Sequence, residues 1–219
     1  MISLILADAE VERVPLLGSD DMASTRVCNV MDAELGGIIV LDSYIHRHLM
    51  QGLEDAERRG RPDIVHSFLL LAQSSRACEV GKLASYVHTR GGEVITVGRR
   101  YRPDQDYIAF LRSFSELFEK GHVDGEEEGL VLERDLDLKV LLGRLRPDWV
   151  IALTPSGDRN DLRQVLSGSD EMHLAVIIGG FPEGDYHSPV YKMADVKVSL
   201  GDELLTVPDV TSQVLAAIP

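Results

Sequence analysis

The stretch LAVIIGGFPEGDYHSPVYKMADVKVSL, residues 174–200, joins two strand-like runs through a glycine-rich turn. The first run is continuously apolar, which is typical of a strand buried on both faces of a parallel sheet. The turn does not match G-x-G-x-x-G, and the chain continues into the strand-like DVKVSL instead of the helix that would hold a pyrophosphate. This stretch therefore predicts an α/β protein whose glycine-rich loop holds a ligand without phosphate, or serves only as a tight connection.

Strand-like and helix-like segments alternate along the rest of the chain. Apolar runs of strand length occur at 2–6, 36–41, 84–89, 93–97, 129–133, 148–153, 174–180 and 195–200. Apolar residues recur with a period near four at 45–56, 65–72, 110–118, 162–166 and 210–215. This alternation predicts a mainly parallel sheet with helices on both faces. Because no linker stands out, we expect residues 1–219 to form a single domain.

Three segments in the last third of the chain each run from a strand into a loop. They are VIALT at 150–154, VIIGGFPEGDY at 176–186 and VSLGDELLTVPDVTSQVL at 198–215. Ligand sites in α/β sheets gather at the carboxyl ends of strands, so these three loops could enclose one cofactor. S-adenosyl-L-methionine has the required chemistry, because its adenine needs backbone donors and acceptors with apolar faces, and it carries no phosphate.

The charge of the chain is strongly acidic but its arginines are grouped. The formal net charge of −14 argues against a general nucleic-acid coat protein, which needs a cationic surface. One arginine group comprises Arg58, Arg59 and Arg61, and a second comprises Arg99, Arg100 and Arg102. Such clusters could grip a short piece of RNA, or they could be solvated side chains beside helix ends.

Several other classes of function are excluded by composition and motifs. Cys28 and Cys78 form no C-x-x-C pair, which indicates a reducing compartment and predicts neither a disulfide framework nor a metal site. The longest apolar runs are too short to cross a membrane, and the N-terminus turns acidic within a few residues. Signatures of P-loop proteins, α/β-hydrolases, zincins and kinases are missing. We therefore expect a cytoplasmic protein.

The tripeptide Arg-Pro-Asp occurs three times, at 61–63, 102–104 and 146–148. Proline restricts its own backbone and that of the preceding residue, so each copy is first of all a structural boundary. The third copy is predicted to end a helix and lead into a strand, and the second to precede a helix beginning near Asp106. In the first copy, Pro62 fits a first helical turn and Asp63 gains from the helix dipole. Its position between an arginine group and an amphipathic helix makes it a candidate site.

The chain resembles a known family over nearly its whole length. The resemblance is carried by LDSYIHRHLMQGL (41–53), ERRGRPDIVHSFLLLAQSS (57–75), SYVHTRGGEVITV (85–97) and the order of the three C-terminal loops. The family is that of the ribosome-biogenesis pseudouridine N1-methyltransferases, a branch of the knotted SPOUT-class methyltransferases. The short form seen here, without extensions, is similar to archaeal members.

The resemblance implies a fold, an activity and partners. Members have an α/β domain with a deep C-terminal trefoil knot, an exception to the rule that chains are unknotted, with family-specific additions for RNA binding. They act as homodimers, bind S-adenosyl-L-methionine in the knot, and methylate N1 of a pseudouridine in small-subunit ribosomal RNA. From the residues alone, two alternatives stay open: a non-catalytic RNA-binding factor for ribosome assembly, and a SPOUT-class methyltransferase with another RNA target.

Matching positions assign roles to individual residues. The cofactor-binding positions implied by the resemblance are Leu153, Gly179, Gly184, Asp185, Leu200, Gly201, Asp202, Glu203, Leu204 and Leu205. Arg61 matches the arginine that contacts the RNA, and Asp63 is the aspartate beside it. In the second basic segment Arg102 matches the first of three family arginines, but the other two positions are Gln105 and Ala109. Arg59, Arg99 and Arg100 are the further candidates for RNA contact.

The predicted chemistry is transfer of a methyl group from a sulfonium, an in-line displacement in which positioning supplies most of the catalysis. The target base must be flipped out of its loop, and its nitrogen must lose a proton. Asp63 is the catalytic candidate together with Arg61. It is predicted to orient the guanidinium of Arg61, with general base as the alternative role.

Overall fold

The computed structural model describes residues 1–15, 37–124, 127–201 and 203–219. Cys28, Gly36, Asp202 and the middle of the acidic loop at 124–129 lie outside the described residues.

Within the described ranges, eight strands form one sheet in the order β4-β5-β3-β2-β1-β7-β6-β8. Their bounds are β1 Ile2–Ala9, β2 Leu83–Thr89, β3 Val94–Val97, β4 His122–Val123, β5 Leu130–Glu133, β6 Trp149–Arg159, β7 Leu174–Gly179 and β8 Val196–Ser199. The pairs β2–β1, β1–β7, β7–β6 and β6–β8 are parallel, whereas the pairs β2–β3, β3–β5 and β5–β4 are antiparallel. The predicted mainly parallel α/β sheet is therefore confirmed.

Helices cover both faces of this sheet. Their bounds are α1 Pro62–Ser74, α2 Arg76–Glu79, α3 Tyr107–Lys120, α4 Leu138–Leu145, α5 Leu162–Leu166, α6 Val190–Met193 and α7 Val207–Ala217. Side chains of β1 alternate between the faces: Ile2, Leu4 and Leu6 join the core under α1, α3 and α7, while Ile5 and Ala7 join the core under α4. All residues of β1 are buried, as its continuous apolar run predicts.

Polar side chains begin several helices. Asp106, Asp137 and Thr206 each accept a hydrogen bond from a backbone N–H in the first turn of α3, α4 and α7, respectively. Such caps satisfy N–H groups that have no partner inside the helix. In α1 the first turn contains Pro62 and Asp63, as predicted.

Two predicted elements are wrong. The run at 36–41 is not a strand of the sheet: Val40 makes one isolated bridge with Arg13. The predicted helix at 45–56 is a series of turns with one short 3₁₀ helix, Arg47–Leu49. Its apolar spacing is misleading because Gly52 and Asp55 adopt positive φ values of 84° and 56°, which interrupt any helix.

The part of the chain that the structure describes contains no helix long and apolar enough to cross a bilayer. The trefoil knot stays a prediction.

Asp8 fastens the end of β1 to the chain beyond β7. Its carboxylate accepts hydrogen bonds from the backbone N–H groups of His187 and Ser188 and from Ser188 Oγ, at 2.6–2.9 Å. Burial alone would raise the pKa of Asp8, but hydrogen bonds from His88 and Ser188 outweigh it and lower the pKa to about 2. A carboxylate with a depressed pKa stabilises the fold above its ordinary pKa of 3.8, and this contribution is lost as pH falls toward 2.

We predict that Asp8→Asn lowers the free energy of unfolding by about 2 kcal/mol at pH 7. Asparagine tolerates the positive φ of 52° at this position, so the change removes mainly the charge. Urea unfolding of the wild type and of Asp8→Asn between pH 7 and pH 3 measures the effect. The difference between their free energies of unfolding should narrow as the pH drops below 4. Equal stabilities at pH 7 would contradict the assigned role of Asp8.

Candidate functional site

A cavity of about 220 Å³ lies at the carboxyl ends of β7 and β8 and beside the middle of β6, where the pairing with β8 shifts register between Leu153 and Asp158. The three predicted cofactor loops form its walls, although the first, Leu153–Pro155, is an irregular part of β6 and not a loop after it. The other two contribute most of residues 178–186, and residues 199–201 and 203–205. Nine of the ten residues predicted to bind the cofactor line it: Leu153, Gly179, Gly184, Asp185, Leu200, Gly201, Glu203, Leu204 and Leu205. The tenth, Asp202, lies outside the described residues.

Two tyrosines that the sequence did not single out hold the first two loops together. Tyr186 donates a hydrogen bond to the carbonyl of Leu153 at 2.9 Å, and Tyr191 donates to Asp185 Oδ1 at 2.5 Å. Thr154 Oγ1 lies 2.9 Å from the Tyr191 hydroxyl, whose proton is already donated, so Thr154 is the donor of that pair. Burial raises the pKa of both tyrosines, so each stays a protonated donor at neutral pH.

The lining has the chemistry of a cationic ligand without phosphate. Glu183, Asp185 and Glu203 are its acidic residues, and Ile178, Leu200, Leu205, Val207 and Val210 supply apolar surface. Neither lysine nor arginine occurs among the described lining residues. A phosphate binds favourably beside cations or at a helix N-terminus. The positively charged sulfonium and amino groups of S-adenosyl-L-methionine are instead stabilised beside carboxylates. The residues present therefore fit this cofactor.

Arg61 and Asp63 form a two-pronged ion pair at the start of α1. Arg61 Nε donates to Asp63 Oδ1 at 2.8 Å, and Nη2 donates to Oδ2 at 2.7 Å. The hydrogen bond to Asp63 raises the pKa of Arg61, so the guanidinium stays charged. Paired guanidinium and carboxylate planes fix each other's direction, which is the orienting geometry predicted for Asp63.

The backbone places this ion pair at the same edge of the sheet as the cavity. The N–H of Arg61 donates to the carbonyl of Glu10 at 2.8 Å, directly beyond the carboxyl end of β1. The N–H of Glu10 in turn donates to the carbonyl of Gly180 at 3.1 Å, in the loop that follows β7. One residue at the end of β1 therefore lies between the ion pair and the cofactor loop.

The second Arg-Pro-Asp copy lies beside α1. His66 Nε2 is 2.7 Å from the carbonyl of Asp104, which only accepts hydrogen bonds, so His66 donates from this nitrogen. His66 also packs against the ring of Phe110 in α3, with ring centroids 4.4 Å apart. Asp104 is thereby held next to the first turns of α1. Arg102, two residues earlier, donates to the carbonyl of Tyr101 at 2.9 Å, and its charge, like that of Arg99, acts on Cys78.

The third copy lies at the opposite edge of the sheet. Asp148 and His173 exchange two hydrogen bonds of 2.7 Å, one through the Asp148 carboxylate, at the amino ends of β6 and β7. Arg146 ends α4 in the left-handed conformation with φ 48°. This copy is a structural boundary, as predicted.

The other predicted RNA contacts, Arg59, Arg99 and Arg100, each have a partner of their own. Arg59 is paired with Glu12 at 2.6 and 2.8 Å. Arg99 donates to the carbonyl of Glu79 at 3.1 Å, near the amino end of β2, and Arg100 Nη1 lies 3.6 Å from Glu127. The last two therefore lie toward the edge away from the cavity.

No group of three or more His, Cys, Asp or Glu side chains that could hold a metal ion occurs within the described ranges.

A solved structure shares this fold. It is that of Archaeoglobus fulgidus Nep1 bound to S-adenosylhomocysteine, which is 31% identical, covers 98% of this chain with 95% of its own, and superposes with a TM-score of 0.82. Together, the sheet and the cavity at its carboxyl edge define an α/β methyltransferase of the SPOUT class.

Sequence comparison is more specific. The chain belongs to the EMG1/NEP1 methyltransferase family, whose model matches residues 4–218. The protein named ribosomal RNA small subunit methyltransferase Nep1 from Methanothrix thermoacetophila is 38% identical over 218 residues, covering 98% of this chain and 94% of the relative. The protein of the same name from Thermococcus kodakarensis is 36% identical over 218 residues, covering 98% and 96%. The predicted family is confirmed.

We predict that Gly184→Val weakens S-adenosylhomocysteine binding at least about tenfold. Gly184 has φ 83°, which strains a valine, and a Cβ there would lie 3.1 Å from Arg58 Nη1, so either the second cofactor loop or the Arg58 side chain that contacts it has to shift. Titration calorimetry measures the affinity. Gly92→Val is the matched control, because Gly92 has φ 73° with open space around its Cβ and does not line the cavity. Equal losses of affinity in both variants would mean that backbone strain alone, and not the loop, is responsible.

Proposed function

We propose that this protein transfers the methyl group of S-adenosyl-L-methionine to N1 of a pseudouridine in small-subunit ribosomal RNA. Two relatives that align with this chain over 94–96% of their own length carry the name ribosomal RNA small subunit methyltransferase Nep1. The observation that carries the proposal is the common edge of the sheet, where the end of β1 adjoins both the cofactor-type cavity and the Arg61–Asp63 ion pair. A methyl donor and a phosphate-binding cation are thereby supported from one rigid strand.

Nine described residues of the three loops are proposed to hold the cofactor, and Asp202 is proposed to do so on the family resemblance alone. When bound, the cofactor supplies an electrophilic methyl group with an excellent leaving group. The chain's own contribution is to bind, orient and exclude water. The hydroxyl protons of Tyr186 and Tyr191 are donated within the loops, so these tyrosines fix the cavity walls rather than titrate.

Arg61 is the proposed RNA-binding group next to the acceptor base. Its side chain is 31% exposed and that of Asp63 is 48% exposed, so the pair can reach a ligand from solvent. Both oxygens of Asp63 are engaged by Arg61, which supports the orienting role over the general-base role. The guanidinium can then present its remaining N–H groups to a phosphate in a fixed direction.

Arg102 is proposed to extend this RNA surface. Asp104, two residues further along, is held to α1 by its hydrogen bond with His66, and Arg102 itself is exposed. Arg59 is engaged by Glu12, and Arg99 and Arg100 lie toward the far edge, so we propose structural roles for these three arginines.

Further features are proposed on the family resemblance: a homodimer in the cytoplasm, a C-terminal trefoil knot, and one domain over residues 1–219 that carries its own RNA-binding additions. The single eight-stranded sheet supports the one-domain proposal.

We predict that the three Asp→Asn changes in the Arg-Pro-Asp copies have unequal effects on methylation of a small-subunit rRNA fragment. Asp63→Asn should lower turnover more than about tenfold, because the guanidinium of Arg61 loses its charged partner. Asp104→Asn should change turnover little, and Asp148→Asn should affect stability alone. Transfer from tritiated cofactor gives the rates, and mass analysis of the nucleoside identifies the product.

Raising the pH then separates the two roles of Asp63. A missing general base would be partly replaced as the substrate nitrogen ionises unaided, whereas a misdirected Arg61 would stay misdirected. We expect no recovery of Asp63→Asn at high pH. Recovery would assign the general-base role to Asp63, and a methylated nucleoside other than N1-methylpseudouridine would contradict the proposed function.

We also predict that RNA affinity depends steeply on salt despite the net charge of −14. Replacing Arg61 and Arg102 together with glutamine should reduce the slope of log K against log salt by roughly 1.4, about 0.7 for each lost phosphate contact on a single strand. The matched control is Arg99→Gln with Arg100→Gln, which should leave the slope unchanged. A lower slope in the control would place RNA on the far edge of the sheet.

A further inference from the structure

Arg58 lies between the buried side chain of Glu10, just beyond the end of β1, and the second cofactor loop. It is the one member of the first arginine group for which the sequence suggested no role. Its Nε donates to Glu10 Oε1, and Nη1 donates to the carbonyl of Asp185 at 2.6 Å. The guanidinium carbon lies 4.0 Å from the centroid of the Phe181 ring. Phe181, Gly184 and Asp185 all line the cavity, so Arg58 supports one wall of it from behind.

Glu10 also holds the segment that carries the ion pair. While its side chain binds Arg58, its backbone carbonyl accepts the N–H of Arg61 at 2.8 Å. Between the two arginines, Gly60 has φ 64° and its carbonyl accepts the N–H of Ser43 at 2.8 Å. The segment 58–61 is therefore fixed at both ends and in the middle, with little freedom to absorb a movement of either end.

Charge neutralisation of Glu10 does not by itself require Arg58. Glu10 is fully buried, and a buried carboxylate needs a cation. Arg90 supplies a second one, with Nη1 3.1 Å from Glu10 Oε2. Arg58 adds to this a contact with the cofactor loop. Its Nη2 is buried without a hydrogen-bond partner among the described residues. An unpaired buried donor lowers stability, so Arg58 needs an explanation other than stability.

We propose that Arg58 is a positioning residue that couples the cofactor cavity to the RNA site. The loop at 181–185, when it contacts a bound cofactor, holds the guanidinium of Arg58 in place, and the segment 58–61 then holds Arg61 in its direction toward RNA. Because coupling between two sites is reciprocal, bound RNA strengthens cofactor binding by the same factor. The proposal rests on the proposed function for the RNA role of Arg61.

Arg58→Lys tests the coupling without changing the charge of the side chain. Lysine keeps a cation for Glu10, but it has no planar group to stack on Phe181 and no fork to reach two partners. Phe181→Leu removes the ring from the other side of the contact and serves as the second variant if Arg58→Lys does not fold. Arg90→Gln is the matched control, since Arg90 pairs with Glu10 and Asp55 at 3.1 and 2.7 Å and the described contacts give it none with 181–185.

The measured quantity is the ratio of S-adenosylhomocysteine dissociation constants without and with a saturating stem–loop of small-subunit rRNA, so that no turnover occurs. We expect a ratio of at least about fivefold for the wild type and for Arg90→Gln. It should fall toward 1 in Arg58→Lys and in Phe181→Leu. A role of Arg58 in stability alone would lower the melting temperature and leave this ratio unchanged.

Each other outcome has one meaning. A wild type that binds and methylates the RNA with a ratio of 1, or an Arg58→Lys variant with the wild-type ratio, overturns the coupling and leaves the proposed function intact. A wild type that binds no RNA overturns both. If Arg90→Gln lost as much coupling as Arg58→Lys, the cause would be the reduced neutralisation of the Glu10 charge. That result would overturn the specific role of Arg58.

Discussion

The acidic side chains at the carboxyl end of β1 hold the candidate site together. Asp8 accepts hydrogen bonds from the chain that follows the cofactor loop, Glu10 pairs with Arg58 and Arg90, and Glu12 pairs with Arg59. β1 lies between β2 and β7 and is parallel to both, and the antiparallel part of the sheet begins one strand further along, at the β2–β3 pair. Buried carboxylates are costly unless they are paired, so this strand end specifies which segments must gather around it.

Much of the fold was predictable because buried strands and amphipathic helices leave strong local patterns. The run at 174–180 and the period of 110–118 needed no tertiary information, and they correspond to β7 and α3. The segment 45–56 was wrongly predicted as a helix because its apolar residues have helical spacing, whereas its backbone forms turns. Asp42 Oδ1 accepts hydrogen bonds from the N–H groups of Tyr44 and Ile45, at 2.8 and 2.9 Å, and Gly52 then adopts a positive φ that no helix contains.

The site was predictable to the extent that it follows from topology. Parallel strands end at one edge, so the loops after β7 and β8 had to meet there, beside the register shift in β6. The partners that shape these loops were not predictable, because they are distant in sequence: Arg58 and Asp185 are 127 positions apart, and Asp8 and Ser188 are 180 apart. Tyr191 gave no signal either, since a single tyrosine in VYKM has no period or motif to mark it.

The three Arg-Pro-Asp copies show why a motif needs its place in the sheet before it has a function. All three mark a boundary between a loop and a regular element, because proline acts on the backbone wherever it stands. Only at 61–63 does the backbone bond of the arginine go to the carboxyl end of β1, and only there does the aspartate pair with its own arginine. At 146–148 the same aspartate type binds His173 at the amino edge, where no cofactor loop among the described residues ends. The tripeptide supplies an arginine and an aspartate, and its place beside a strand end determines whether they pair with each other and face a ligand.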